Sequence, residues 1–146
     1  MGAGGEAHCR AKHDVVGIEE KRHTISLDGT AARRTGPAVE AMYQFILWLI
    51  PAVEKFPRSQ KFLLGDRIQT AALDVLERLI EATYTRGREA LLTHANVGIE
   101  KLRFLSRLAY DLQYFDMRRY EHAARKLDEI GRLIGGWTKA NRAAQV

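Results

Sequence analysis

From Pro37 onward, apolar residues return at intervals of three and four in four successive segments, and the breaks between those segments are short. That spacing puts them on one face of an α-helix, and short connections set consecutive helices antiparallel. The pattern predicts an all-α fold, an antiparallel up-down-up-down four-helix bundle over 37–146, with no sheet. Composition agrees where it bears on class: 46% apolar residues in a chain of 146, with only three prolines, suit one helical domain with a real core. Residues 1–36 are glycine-rich, mixed in charge and without sustained periodicity, and read as a disordered N-terminal extension.

The sharpest break is the run F-P-R-S-Q-K-F-L-L-G-D-R-I-Q at 56–69, which also places three cations close together. Pro57 lacks an N–H and pushes Phe56 out of the α region, so helix one, opened by Pro37, is expected to end there. Helix one carries Val39, Met42, Tyr43, Phe45, Ile46, Leu49, Ile50 and Val53. Its stretch F-I-L-W-L-I is apolar nearly all round and too short to span a bilayer, so it reads as a deeply buried helix that Pro51 kinks or loosens. Ser59 is placed to cap helix two, which should run to Arg86, with Gly87 suited to the left-handed position after it. Helix three is expected over 88–113, and helix four from an Asp116 cap through Gly136 toward Asn141.

On helix three, Leu91, Leu92, Ala95, Ile99, Leu102, Leu105, Ala109 and Leu112 share the core arc. Val97, Phe104 and Leu108 form a second apolar stripe, wider than one core consumes, and self-association through it is expected unless the N-terminal segment or helix one covers it. On helix four, Met117, Tyr120, Ala124, Leu127, Ile130, Ile134 and Trp137 should face inward. Opposite them Arg118, Arg125, Arg132 and Lys139 recur every seven residues, roughly 10 Å apart at the helical rise. Such a stripe suits a phosphate backbone, in keeping with a net charge of +5. It equally suits a solvated face if Glu121, Asp128 and Glu129 absorb the charge, and Arg103 and Arg107 are bracketed in the same way by Glu100 and Asp111.

No Glu-x-x-His pair, P-loop, G-x-G-x-x-G, G-x-S-x-G or C-x-x-C occurs, and no cofactor is expected. His8, Cys9 and His13 lack a fourth ligand and make a poor metal site. A lone cysteine excludes an intrachain disulfide framework, and with no signal-peptide pattern a reducing cytoplasm is expected. Arg88 and His94 have the Arg-x4-6-His spacing of HEPN-type ribonucleases, in which His moves the proton and Arg holds phosphate charge. His94 lies close to the core arc, however, and the chain is not expected to be an enzyme.

Three runs carry a family resemblance: K-F-P-R-S-Q-K-F-L-L-G-D-R-I-Q at 55–69, I-E-K-L-R-F-L-S-R-L-A-Y-D-L at 99–112 and Y-E-H-A-A-R-K-L-D-E-I-G-R-L-I-G-G-W at 120–137. In that order they resemble the Avd (accessory variability determinant) proteins of diversity-generating retroelements, over nearly everything from Met42 onward. Four-helix-bundle proteins encoded in ribosomal-RNA intervening sequences share the F-P-R-S turn more than the G-G-W ending. The Avd resemblance implies a non-catalytic homopentamer that binds RNA or DNA and partners the element's reverse transcriptase. It implies basic roles for Arg58, Lys61 and Arg67 in the first run and for Arg103 and Arg107 in the second. Under it, Gly65, Gly131 and Gly135 would let helices approach closely. Residues 1–36 have no counterpart in the family pattern.

Overall fold

Four helices are set out by the computed structural model, which describes residues 35–145: α1 (Pro37–Glu54), α2 (Asp66–Thr83), α3 (Glu89–Asp111) and α4 (Met117–Ala144). Each of α1 and α3 packs on both α2 and α4, so the bundle closes between its first and last helices in the up-down-up-down order that the short connections dictate. The described residues contain no strand. Disorder in the N-terminal extension and the weak ligand set His8, Cys9 and His13 fall on 1–34, outside the described residues.

The helix ends depart from the sequence expectation in three places, each for a local reason. Helix two opens before Ser59, because Pro57 is itself extended and its carbonyl accepts from the N–H groups of Gln60 and Lys61, both at 2.9 Å. Ser59 is therefore inside the first turn and caps nothing. That turn, Arg58–Gln60, leads into a π-helical turn, Lys61–Gly65, before α2 proper. At the far end α2 stops at Thr83 rather than Arg86, where the hydroxyls of Thr83 and Thr85 donate to the carbonyls of Leu79 (3.0 Å) and Glu81 (2.7 Å). Gly87 does not take the left-handed conformation. By contrast Asp116 caps α4 as expected, its Oδ1 accepting from the Arg119 N–H at 2.8 Å, and α4 runs past both Gly135 and Gly136 to Ala144.

α3 ends in a Schellman motif: the Tyr114 N–H donates to the Ala109 carbonyl (2.8 Å) and the Gln113 N–H to that of Tyr110 (2.9 Å). Gln113 occupies the left-handed position with φ 66°, where a Cβ is strained. The strain is tolerated because the motif delivers Phe115 into the core, edge-on to Phe56 at 5.1 Å and tilted against Trp48 at 6.2 Å. Gln113→Gly is accordingly expected to raise stability by about 1 kcal/mol, read as a higher urea midpoint at unchanged slope.

Close approach of helices rests on two glycines. A Cβ at Gly65 would meet Val53 Cγ1 at 2.8 Å, and one at Gly98 would overlap Val75 Cγ2 more severely. Gly131 instead lies against the Arg103 side chain, and a Cβ at Gly135 would meet no other helix within 4 Å among the described residues, so Gly135 does not serve the role expected of it. Val75 is buried and stiff at χ1, so Gly98→Val should cost about 1–3 kcal/mol by overpacking. Adding Val75→Ala should return part of the loss.

The burial pattern also corrects the sequence reading. α1 is not buried all round: Tyr43, Leu47 and Ile50 face outward at one helical stripe. Leu112 and Met117, both expected inside, are exposed, and Ala123 takes the fully buried place expected of Ala124. Ser106 sits in the core on α3, its hydroxyl without a hydrogen-bond partner among the described residues.

Candidate nucleic-acid interface

Arg118, Arg125, Arg132 and Lys139 all lie exposed along the outer side of α4. Among the described residues none of the four has a carboxylate within 4 Å, because the acids beside them are engaged elsewhere. Asp128 is taken by Arg103 across the α3–α4 contact at 2.8 Å, and Glu129 by Lys126 at 3.6 Å. Among the described residues beside the stripe, that leaves Glu121 to offset it, from an exposed position.

The cations of the other two runs divide. Arg103 binds Asp128 and also lies 3.3 Å from Glu100, so it is paired twice and braces α3 to α4, whereas Arg107 sits 3.8 Å from Asp111 in a weak, exposed pair. Lys61 pairs with Glu54. Arg58 and Arg67 are exposed and have no ion-pair partner among the described residues. Arg67 faces a groove between α2 and α3 that it shares with Asp74, Arg78, His94, Lys101 and Phe104. Arg58 lies at the bundle end where Phe56 meets Tyr114 at 5.6 Å and Phe115, the same end from which the α4 stripe starts at Arg118.

His122, unremarked in the sequence, stands on α4 between these cations, its ring 4.4 Å from that of Trp48 on α1. Burial is the largest cause that lowers its pKa below the ordinary 6.5, with the like charges of Lys126 and Arg125 adding to it. The unfolded chain thus takes up this proton at higher pH than the folded one. The stability at stake is intact above 6.5 and is lost as the pH falls through that value toward the folded pKa. Denaturant titrations of wild type and His122→Gln should show that component of the acid-side decline only in the wild type.

Arg88 and His94 do not share a site. The Arg88 guanidinium lies 5.9 Å from the centre of the Trp137 ring on α4, and its Nε donates to the Thr85 carbonyl at 3.0 Å, whereas His94 is exposed in the α2–α3 groove rather than near the core. Among the described residues no three His, Cys, Asp or Glu side chains are grouped to hold a metal, and no helix is long and apolar enough to cross a membrane.

Val97, Phe104 and Leu108 are exposed as a stripe on α3, Phe104 to 68%, and helix one does not cover them. The sequence reading missed a second apolar face. Trp48 turns one flank of α1 toward α4, through its contacts with Phe115 and His122, which leaves Tyr43, Leu47 and Ile50 on the flank toward α2. Leu73 and Ile80 lie on the flank of α2 away from the α3 groove, and so beside them. Their three-and-four spacings were in the sequence, hidden because the same helices also fill the core.

A family model described as bAvd-like matches residues 38–141, which takes in all four helices. The chain belongs to the bAvd-like family. Among curated proteins none matches it. Membership of the bAvd-like family agrees with the resemblance carried by the three runs at 55–69, 99–112 and 120–137.

Proposed function

We propose that this bAvd-like chain is a non-catalytic accessory protein of a diversity-generating retroelement, acting in the cytoplasm as a homopentamer that holds template RNA or cDNA beside the element's reverse transcriptase. The observation that carries the nucleic-acid part is the α4 stripe, four regularly spaced cations of whose neighbouring acids Asp128 and Glu129 pair elsewhere. Its spacing follows a backbone rather than a base, so binding is largely independent of sequence and steeply dependent on salt. Two unlike apolar faces, one on α3 and one across α1 and α2, suit a head-to-tail contact that closes into a ring. A ring repeats each basic surface, and several weak surfaces acting together hold a polyanion through effective concentration.

The separation of Arg88 from His94 favours an adaptor over a HEPN-type ribonuclease, since acid-base cleavage needs both at one phosphate. Incubated with RNA, the purified protein should retard it on a gel and leave it full length, with His94→Ala behaving identically. Cleavage that disappears in His94→Ala would replace this reading with the nuclease. A reverse-transcriptase gene beside the coding sequence, with paired template and variable repeats, separates the adaptor from the ribosomal-RNA intervening-sequence proteins.

A further inference from the structure

At the bundle end that carries Phe56, the π-helical turn Lys61–Gly65 sends Leu64 and Gly65 inward and leaves Phe62 and Leu63 70% and 65% exposed. Isolated π-turns are rare and recur at functional sites. This one is pinned, because Gly65 packs directly on Val53 of α1 with no room for a Cβ. Arg58 lies four residues before Phe62 and Arg67 four residues after Leu63, both exposed and without a carboxylate within 4 Å among the described residues. At the helical rise they bracket the apolar pair over roughly 13 Å. Of the acids nearby, Glu54 is occupied by Lys61 and Glu100 by Arg103, which leaves Asp66 and, in the groove that Arg67 faces, Asp74 to oppose a negative ligand among the described residues.

We propose that Phe62 is a stacking platform for an unpaired base of single-stranded nucleic acid, with Arg58 and Arg67 holding the phosphates on either side of that base. The proposal rests on the nucleic-acid reading above and narrows it to the single strand. A ring projecting from a convex turn finds no free base face on a duplex, where every base is already stacked, whereas a single strand presents its π-faces to any exposed aromatic. Unpartnered guanidiniums on both sides complement phosphates, and each base has a face to offer, so the contact carries no sequence preference. The α4 stripe begins at the same end of the bundle with Arg118.

Fluorescence anisotropy with a labelled oligouridylate and with a labelled blunt-ended RNA duplex, each across a salt series, tests it on the full chain. Phe62→Ala should weaken the oligouridylate roughly tenfold and leave the duplex and the salt slope unchanged, since a neutral stacking contact releases no counterion. Phe62→Trp should restore or tighten binding, and Arg58→Gln should lower the single-strand slope by about 0.7. Both side chains are exposed, and matching circular dichroism spectra establish that the variants fold. Equal losses on both probes, or no loss on either, overturn the platform. Oligouridylate binding that survives Phe62→Ala while capture of the reverse transcriptase fails would make the turn a protein-docking surface instead. If the wild type binds neither probe, the nucleic-acid reading falls, and the platform with it.

Discussion

Phe104→Asp is expected to convert the assembly to monomers while leaving the bundle folded. The side chain is 68% exposed in the single chain, so the substitution touches no core contact and should alter monomer stability by about 0.5 kcal/mol or less. In a subunit contact the ledger is different. Covering a phenylalanine contributes roughly 1.5–3 kcal/mol, and a carboxylate in its place must be desolvated without a partner. A loss on the order of 3 kcal/mol at every contact weakens each about a hundredfold. Light scattering behind a sizing column should show a multimer for wild type at about tens of micromolar, a fair concentration for an obligate assembly, and a monomer for the variant. Leu47→Asp on the other apolar face should act alike, because a head-to-tail contact uses both. A wild type that is already monomeric would remove the ring and the multivalent binding together.

The second large effect belongs to the stripe on α4. Replacing Arg118, Arg125 and Arg132 by Gln keeps helix propensity and removes three charges that have no ion pair among the described residues. Each phosphate contact contributes about 0.7–0.9 to the slope of log affinity against log salt, so the triple variant should flatten that slope by about 2 to 3 per engaged subunit. Replacing Arg103 and Arg107 should do less, since those guanidiniums already sit on Glu100, Asp128 and Asp111. An Arg103 variant should instead show lower stability, from the broken α3–α4 brace and the carboxylate it leaves unpaired. Equal slopes for wild type and the triple variant would make the stripe an ordinary solvated face.

The sequence carried the bundle because its signals are local. Pro37, Pro57 and Asp116 act on the backbone within one turn of themselves, and the four apolar arcs repeat often enough that a few misplaced residues do not blur them. What it did not carry depends on partners distant in the chain. Whether Arg103 is free or paired is decided by Asp128 on another helix, and the burial of Phe115 by Phe56 and Trp48. The π-turn was invisible because the close contact it makes, Gly65 against Val53 Cγ1, is with another helix. Gly98 was passed over for the same reason: its close neighbour, Val75, is twenty-three residues earlier. Conversely the α3 stripe was legible, since Val97, Phe104 and Leu108 fall outside an arc that was already full.

Capture of the partner enzyme tests the adaptor role most directly. With a tag on the reverse transcriptase of the proposed retroelement, co-expression and affinity purification should bring down the chain in several copies per transcriptase, together with RNA, and added salt should strip the RNA before the protein. Phe104→Asp should reduce the number of copies, and the Arg118, Arg125 and Arg132 variant should reduce the RNA. Transcriptase that comes down alone at every salt concentration, from cells in which both proteins are soluble, would contradict the account.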